Sequence, residues 1–248
     1  MAMITAAAIA AMSTQAALMA DAAPRHSFLG TLMWLSSPAL PVGGFSFSQG
    51  LEQAVERGVV SGKESLCAWI KGCVEDGLLR WDLPLMRLMY DAACHADAPE
   101  FARLDARLLS GRGTRELCDE DRAMGAALMR LMKALGLWPS WASGMRPGYA
   151  SCFALCGAQS LPQGGGSCRM MLCAYLMSWA QNQASVAVKA VPLGQNSGQQ
   201  ALASLIPFLE EAAARAMEVG ESGIGAALPA LSILSSLHEV QYSRLFRS

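Results

Sequence analysis

Cysteines are the first residues in this sequence whose type and spacing could support chemistry. Among the eight cysteines, Cys152 and Cys156 would share one face of a helix because they are four residues apart. A metal site there would need further ligands, and the nearest histidine in sequence, His95, is far away. The sequence contains no Cys-x-x-Cys pair, so the usual zinc and redox signatures are absent. We therefore favour buried, reduced thiols and predict no metal site.

The three histidines do not form a recognisable catalytic or metal-binding motif. The sequence has no His-Glu-x-x-His helix and no Gly-x-Ser-x-Gly nucleophile turn. We expect His26 and His95 on the solvated surface. His238 lies near the end of a predicted helix, where a cation at the helix C-terminus is the favoured interpretation and a ligand or base is the alternative.

A lysine that follows two glycines, in residues 58–64, resembles a phosphate-binding loop only superficially. Such a loop needs four residues between its glycines and Ser or Thr after the lysine. This segment has three residues between its glycines, and Glu64 follows Lys63. Ser61 and Glu64 instead fit a helix capping box, in which each side chain accepts from the other residue's backbone N–H. We therefore expect no nucleotide site and no enzymatic activity.

Two segments are harder to explain as structure alone. Residues 36–52 combine prolines with a Gly-Gly pair in a strongly specified loop, followed by a Ser/Gln cluster that should start a helix. Such loops often carry function, and a structural corner is the alternative.

In the predicted helix 175–190, four polar residues recur along one face: Ser178, Asn182, Ser185 and Lys189. That stripe needs partners if it is buried, whereas an ordinary solvated face is the simpler interpretation.

The elements that must position these residues are helical. Apolar residues recur at spacings of three and four, and no alternating run of strand length stands out. The predicted helices are one after Ser61, one through Met86 to Tyr90, one from Pro99 to Leu108, one from Thr114 to Leu135, one at 150–158, one from Ser167 to about Ala190, one near 198–216 and one near 228–237. No long linker divides them, so residues 25–242 are predicted to form one all-α, bundle-like domain.

Composition excludes several classes of protein. Of 248 residues, 53% are apolar and 16% are charged, against about 25% charged in an average chain. A chain with so little charge either buries much of itself or covers part of its surface with partners. The net charge of −1 and the lack of a basic run argue against nucleic acid. Residues 1–24 lack the basic start of a signal peptide and the apolar strength of a membrane span, so we predict a flexible arm on a soluble, cytoplasmic protein that binds no membrane.

Four segments carry a pattern that extends along most of the chain. They read SPALPVGGF and SQGLE within residues 37–52, TREL and DRAMG within 114–125, YLMSW and VKAVPLGQ within 175–199, and HEVQYSRLFRS at 238–248. In this order they resemble the UreF family of urease accessory proteins. The resemblance covers the chain from about Phe28 onward, and residues 1–24 and 152–168 lie outside it.

The resemblance implies an all-α homodimer that assists the maturation of urease without being an enzyme. Such a protein would bridge UreD (UreH in some organisms) and the GTPase UreG on the urease apoprotein. That assembly installs a carbamylated lysine and two nickel ions, driven by GTP hydrolysis in UreG, so the partners would handle nickel and GTP and this chain would need no cofactor. A regulator of the UreG GTPase is the alternative. Weaker alternatives are a thiol metallochaperone and a small-ligand carrier or enzyme, for which the sequence offers no convergent polar groups.

The resemblance also assigns partner-binding residues. Family positions that face UreG or govern coupling fall by motif on Glu52, Lys189 and Arg244, and we expect the first two to be exposed. The predicted partner-binding residues are Glu52, Lys189, Tyr242, Arg244, Leu245, Phe246 and Arg247. We expect the tail, residues 243–248, to be mobile alone and to order against UreD, with Phe246 in an apolar pocket and Arg244 near a carboxylate of this chain or of its partner. A tail folded onto its own core is the alternative.

Overall fold

A computed structural model describes residues 28–226 and 228–248, so the predicted arm at residues 1–24 and His26 lie outside the described residues. Within the described part the fold is all-α, as predicted, without a β-strand. Its ten helices are α1 (Phe28–Leu35), α2 (Leu51–Glu56), α3 (Lys63–Cys73), α4 (Asp82–Cys94), α5 (Ala98–Ser110), α6 (Arg115–Ala134), α7 (Tyr149–Ser160), α8 (Gly165–Ala190), α9 (Gln195–Ala216) and α10 (Pro229–His238). A π-helical turn, Val74–Leu78, continues α3, and short 3₁₀ turns occupy Gly44–Ser46, Ser140–Ala142 and Glu221–Gly223.

Local sequence signals start and stop most of these helices. The hydroxyl of Thr114 accepts from the backbone N–H of Leu117 at 3.3 Å and caps α6, as predicted. Asp97 caps α5 in the same way, with Pro99 in the first turn. The one helix that was not predicted is α1, whose sequence FLGTLMWL is apolar on nearly every side and therefore lacks an amphipathic period.

The capping box predicted for α3 involves a different residue. The helix begins at Lys63, and the hydroxyl of Ser65 accepts from the backbone N–H of Ser61 at 3.0 Å and of Gly62 at 3.1 Å. The pairing predicted between Ser61 and Glu64 is therefore wrong. The reason is that the helix starts one residue later, which puts Ser65 rather than Glu64 at the position that reaches back.

Helix α8 is the centre of the domain. It packs against α1, α2, α3, α4, α7 and α9, and it is apolar on most sides, as expected of a helix that is surrounded. The fully buried amide of Gln183 accepts from the indole N–H of Trp69 at 3.0 Å and donates to the carbonyl of Ser48 at 3.4 Å. None of the described helices is both long and apolar enough to cross a bilayer.

Two glycines allow α6 to lie against the beginning of α7. A Cβ atom at Gly125 would lie 2.5 Å from the carbonyl oxygen of Pro147, and one at Gly148 would lie 2.0 Å from a carboxylate oxygen of Asp121. At this close approach, Asp121 accepts from the backbone N–H of Tyr149 at 3.2 Å. The segment 121–125 therefore joins α6 to α7, and it orients the N-terminal half of α6 toward the C-terminal residues of the chain.

Candidate functional site: the docked C-terminal segment

The C-terminal segment, residues 239–248, lies on the protein's own helices. The carboxylate of Glu52, on α2, accepts from the backbone N–H of Leu245 at 2.7 Å and from that of Phe246 at 3.1 Å. The N–H of Arg247 donates to the carbonyl of Ser46 at 2.8 Å. The side chain of Phe246 is buried, with 7% of its surface exposed. The expectation of a tail that is mobile alone is therefore wrong, and the alternative of a tail folded onto its own core is confirmed, because this chain supplies both the pocket for Phe246 and the hydrogen-bond acceptors.

The loop at residues 36–52 holds the far end of the tail. The backbone N–H of Ser48 donates to the main-chain oxygen of Ser248 at 2.6 Å, and the Ser48 hydroxyl donates to the same atom. The Ser248 hydroxyl donates to Glu120 at 2.8 Å. Glu120 also accepts from the side-chain amide of Gln49, which in turn accepts from the indole N–H of Trp179, both at 2.5 Å. The Ser/Gln cluster therefore binds the tail.

A helix follows this cluster, as predicted, but neither Ser48 nor Gln49 caps it. Helix α2 begins at Leu51, after Gly50, and no side chain caps it. Gly50 has a φ of 77° and Gln49 has a φ of 54°, so two consecutive residues adopt the left-handed conformation. The turn that results directs Ser48 and Gln49 toward the tail and α8 instead of toward the helix N-terminus.

His238, the last residue of α10, is the electrostatic centre of the site. Its side chain is completely buried, with Nε2 at 3.1 Å from a carboxylate oxygen of Glu52 and Nδ1 at 2.9 Å from one of Glu116. The other oxygen of Glu116 accepts from the guanidinium of Arg244 at 3.0 Å. His238 therefore lies at a helix C-terminus, as predicted, but it is buried between two carboxylates. His238 is buried because α10 packs against both α2 and α6, each of which contributes a carboxylate.

The buried carboxyl of Glu120 lies one helical turn beyond Glu116 on α6. Burial raises the pKa of Glu120 to about 7, although the hydrogen bonds from Gln49 and Ser248 oppose that rise. A carboxyl with this pKa changes its charge near neutral pH, in contact with the tail.

Lys189, near the C-terminus of α8, also contacts the tail. Its Nζ lies 5.6 Å from the centre of the Phe246 ring, within the range of a cation–π interaction. Glu52, Lys189 and Arg244, which are far apart in sequence, are thus brought to one region. Glu52 and Lys189 contact the C-terminal segment, and Arg244, which belongs to that segment, pairs with Glu116 on α6. Lys189 is exposed as predicted, whereas Glu52 is only 5% exposed because the tail covers it.

The polar stripe on α8 has partners along part of its length. The amide of Asn182 donates to the carbonyl of Phe47 at 3.0 Å, which fastens the loop to the helix. Ser185 is exposed, and its hydroxyl donates to the carbonyl of Gln181 on the same helix. The interpretation as an ordinary solvated face therefore holds for Ser185 and Lys189 but not for Asn182.

The outer side of the C-terminal segment, residues 239–248, is apolar and exposed. Tyr242 is fully exposed, Leu245 is 69% exposed and Val240 is more exposed than Leu245. We call these three residues the tail patch. Arg247 is exposed as well. The backbone of the segment is held from below while its large side chains face outward, which is the arrangement of a preformed binding surface.

A cavity of about 480 Å³ lies next to the loop, lined by apolar side chains and by Asp82, Arg112 and Asp121. The guanidinium of Arg112 lies 2.6 Å from Asp82 and 3.4 Å from Asp121. Burial raises the pKa of Asp121, and Arg112 opposes that rise. No convergent polar groups were expected from the sequence, and that expectation is wrong, because α4, α6 and the turn after α5 bring them together. Their charges pair mainly with one another and with the backbone of α7.

Comparison with known proteins identifies the family. A sequence model of the UreF family matches residues 60–206. A urease accessory protein UreF from Chromohalobacter salexigens is 41% identical over 221 residues, which cover 89% of this chain and 94% of the relative. The UreF proteins of Pseudoalteromonas translucida and Marinobacter nauticus are 38% and 41% identical, each over 88% of this chain and 93% of the relative.

This chain belongs to the UreF family. Its membership gives it a role in the maturation of urease, and the resemblance drawn from the four sequence segments is confirmed.

Four of the eight thiols of this UreF protein are buried as predicted, and the other four are partly exposed; the buried ones are Cys73, Cys152, Cys156 and Cys168. Cys152 and Cys156 are both inaccessible, and Cys152 contacts the carbonyl of Gly125 at 3.4 Å. Burial raises the pKa of Cys152 well above its ordinary value and that of Cys156 to about 12. Thiols in this environment are poor metal ligands because the thiolate is the binding form. Among residues 28–226 and 228–248, no group of three or more His, Cys, Asp or Glu side chains is arranged to hold a metal ion.

Several residues of the site were missed by sequence reasoning. They are Ser48, Gln49, Glu116, Glu120 and the buried role of His238. Glu116 and Glu120 are four residues apart on α6, so a helical projection places both carboxylates on one face. That face looks like an ordinary solvated acidic stripe until α10 and the tail are packed against it.

Proposed function

We propose that this UreF chain is a non-catalytic assembly factor that bridges UreD and the GTPase UreG on the urease apoprotein. It acts as a cytoplasmic homodimer, and its partners handle nickel and GTP. Membership in the UreF family supports the role in urease maturation. The observation that supports the bridging role most directly is the tail, whose backbone is fixed by Glu52 while the tail patch faces outward.

The tail patch is the proposed surface for UreD. Aromatic and apolar side chains at the centre of an interface contribute most of its binding energy. Because the tail is already ordered on this chain, binding need not supply the free energy of ordering it. Tyr242 and Leu245 make the outward contacts in this proposal, whereas Phe246 acts inward as an anchor. Arg244 is held by Glu116 and so positions the stretch of chain between Tyr242 and Leu245.

The surface for UreG is proposed to include Lys189, which is exposed on α8. Glu52 is buried and therefore acts on partner binding through the tail, not by direct contact. The two effects are separable. Removing the ammonium of Lys189 removes an exposed charge, whereas removing the carboxylate of Glu52 removes the acceptor for two tail amides.

Co-purification with UreD tests the proposal. We expect the double substitution Tyr242→Ala and Leu245→Ala to weaken UreD binding at least about tenfold, because anchor residues contribute about 1–2 kcal/mol or more each. The free energy of unfolding should hardly change, since both side chains are exposed. Leu135→Ala is the matched control, because Leu135 is an exposed leucine at the other end of α6. Full UreD binding by the double variant would contradict the proposal.

Regulation of the UreG GTPase is the second candidate function. Arg247 favours it, because this residue is exposed and its guanidinium forms no ion pair with the described residues. An arginine supplied in trans can accelerate GTP hydrolysis. GTP turnover by UreG with and without this chain decides between the two functions. A rate that rises with the wild-type chain but not with Arg247→Ala would favour the regulator, and an unchanged rate would favour the scaffold.

A further inference from the structure

We propose that the cavity of about 480 Å³ beside the loop at residues 36–52 binds a small neutral molecule that carries a carboxamide on an apolar, aromatic body. The carboxamide contacts Asp121 and Arg112, and the body lies among the apolar side chains of the cavity walls. This activity does not rest on the bridging of UreD and UreG proposed above, so either idea can fail without the other.

The polar end of the cavity contains one open acceptor and one open donor. Oδ1 of Asp121 accepts from the N–H of Tyr149 and pairs with Arg112, whereas Oδ2 has no hydrogen-bond partner among the described residues. Asp121 is only 6% exposed. Nη2 of Arg112 pairs with both Asp82 and Asp121, and its buried Nε has no partner in the described part of the chain. Because buried polar groups in folded proteins are nearly always hydrogen-bonded, these two atoms favour a ligand that supplies their partners.

A carboxamide matches this pair of atoms better than a charged group does. Its oxygen accepts a hydrogen bond and its NH₂ group donates, so one planar group can serve both Arg112 and Asp121. A carboxylate has no donor for Asp121, and it adds negative charge where Asp82 and Asp121 already outnumber Arg112. An amidinium has no acceptor for Arg112. The chemistry of the site therefore favours a neutral amide.

A metal ion is a poorer occupant of the same cavity. Within residues 28–226 and 228–248, no three His, Cys, Asp or Glu side chains are arranged to hold one. The two carboxylates at the polar end also pair with Arg112, at 2.6 Å for Asp82 and 3.4 Å for Asp121. A cation bound between them would meet the positive charge of the guanidinium, which repels it.

The walls of the cavity suit an aromatic body. The volume falls within the range of about 300–1,000 Å³ that is typical of small-molecule sites. One wall includes Leu78 from the π-helical turn Val74–Leu78, and such turns occur frequently at functional sites. Side chains from the loop, from α6 and from α8 complete the apolar surface, and they include Leu40, Val42, Met124, Trp81 and Trp179. Offset or edge-to-face contact with the two indole rings favours an aromatic ligand over an aliphatic one.

Three probes of one shape test the ligand class. Benzamide, benzoate and benzamidine differ mainly in charge, being neutral, anionic and cationic near neutral pH. Isothermal titration calorimetry on the full chain should give benzamide a Kd of about 1 mM or lower, an ordinary efficiency for a ligand of about nine non-hydrogen atoms. Benzoate and benzamidine should each bind at least about tenfold more weakly, because each leaves one buried atom without a partner. No binding of benzamide, or equal or tighter binding of either charged probe, would overturn the proposal.

A substitution that fills the cavity tests the place of binding. Leu117, half-buried on α6, lines the cavity, so Leu117→Trp should occupy its space and weaken benzamide binding at least about tenfold. Leu135→Trp is the matched control, because Leu135 is an exposed leucine at the other end of α6. It should bind benzamide as the wild type does. A folded Leu117→Trp variant that keeps wild-type affinity would overturn the proposal.

A second measurement of the place of binding needs no variant. In the wild-type chain, NMR should show nuclear Overhauser effects between the benzamide ring protons and the methyl group of Met124, which lines the cavity. Bound benzamide without these effects would lie elsewhere, and that result would overturn the proposal even if Leu117→Trp failed to fold.

Discussion

Glu52 and His238 are 186 residues apart in sequence and share a hydrogen bond of 3.1 Å in the interior of the protein. The same carboxylate accepts from two amides of the tail, so one side chain on the short helix α2 joins α10 to the C-terminal segment. A residue that lies beside a loop in the sequence therefore supports the docked C-terminal segment in the structure.

Glu52→Ala should lower the free energy of unfolding by about 3 kcal/mol, because it leaves a buried imidazole and two amides without an acceptor. An exposed Glu52, as expected from the sequence, would instead have left folding nearly unchanged on substitution. Urea denaturation measures the effect. Lys189→Ala is the comparison, and should change stability by less than about 1 kcal/mol because it removes only an exposed cation–π contact. Equal effects of the two substitutions would contradict the assignment.

Phe246→Ala should destabilise the protein by about 3 kcal/mol, because the ring is buried against the core. Leu245→Ala, on the neighbouring and exposed residue, should change stability by less than about 0.5 kcal/mol. Deleting residues 243–248 should likewise lower Tm, in contrast to a mobile tail, whose removal would leave Tm unchanged. Thermal denaturation followed by circular dichroism measures all three.

Glu120→Gln should flatten the dependence of stability on pH. The folded-state pKa of Glu120 is raised from 4.5 to about 7, so the folded protein binds this proton more tightly than the unfolded chain. The stabilisation is therefore fully present below about pH 4.5 and is lost as pH rises through about pH 7, with a total of about 3 kcal/mol. Gln does not titrate, so the variant should gain stability relative to wild type from pH 4.5 to pH 8 in urea titrations. A constant difference across this range would show that Glu120 keeps an ordinary pKa.

Gly125→Ala should destabilise the protein by about 1–3 kcal/mol, because the new methyl group would lie 2.5 Å from the backbone oxygen of Pro147, which cannot move like a flexible side chain. Gly72→Ala is the matched control, since Gly72 lies inside α3 with nothing within 4 Å of the added carbon. It should stabilise by about 0.5–1 kcal/mol through helix propensity. If Gly125→Ala behaved in the same way, the close approach of α6 and α7 would not limit this position.

The sequence by itself determined every described helix except α1, and it determined the family. Thr114 caps α6 and Gly136 ends it in the left-handed conformation, and Asp97 with Pro99 starts α5. These signals act on neighbouring residues, so they can be recognised in a short segment without knowledge of the fold. The segments that carry the UreF resemblance are equally local. The capping residue of α3 was misassigned only because a shift of one residue changes which side chain reaches the free N–H groups.

Only the tertiary structure decided what His238 and the tail do. The partners of His238 are 186 and 122 residues away, and such pairs leave no periodic trace in the sequence. From the sequence, a histidine at a helix end is interpreted as a cation at the helix C-terminus. Only the packing shows that α2 and α6 each place a carboxylate against it. The same packing buries Phe246 and leaves Tyr242 exposed, although the two residues are close in sequence and similar in chemistry. Their fates differ because Glu52 fixes the backbone of the tail, and that backbone sets which side chains face the core.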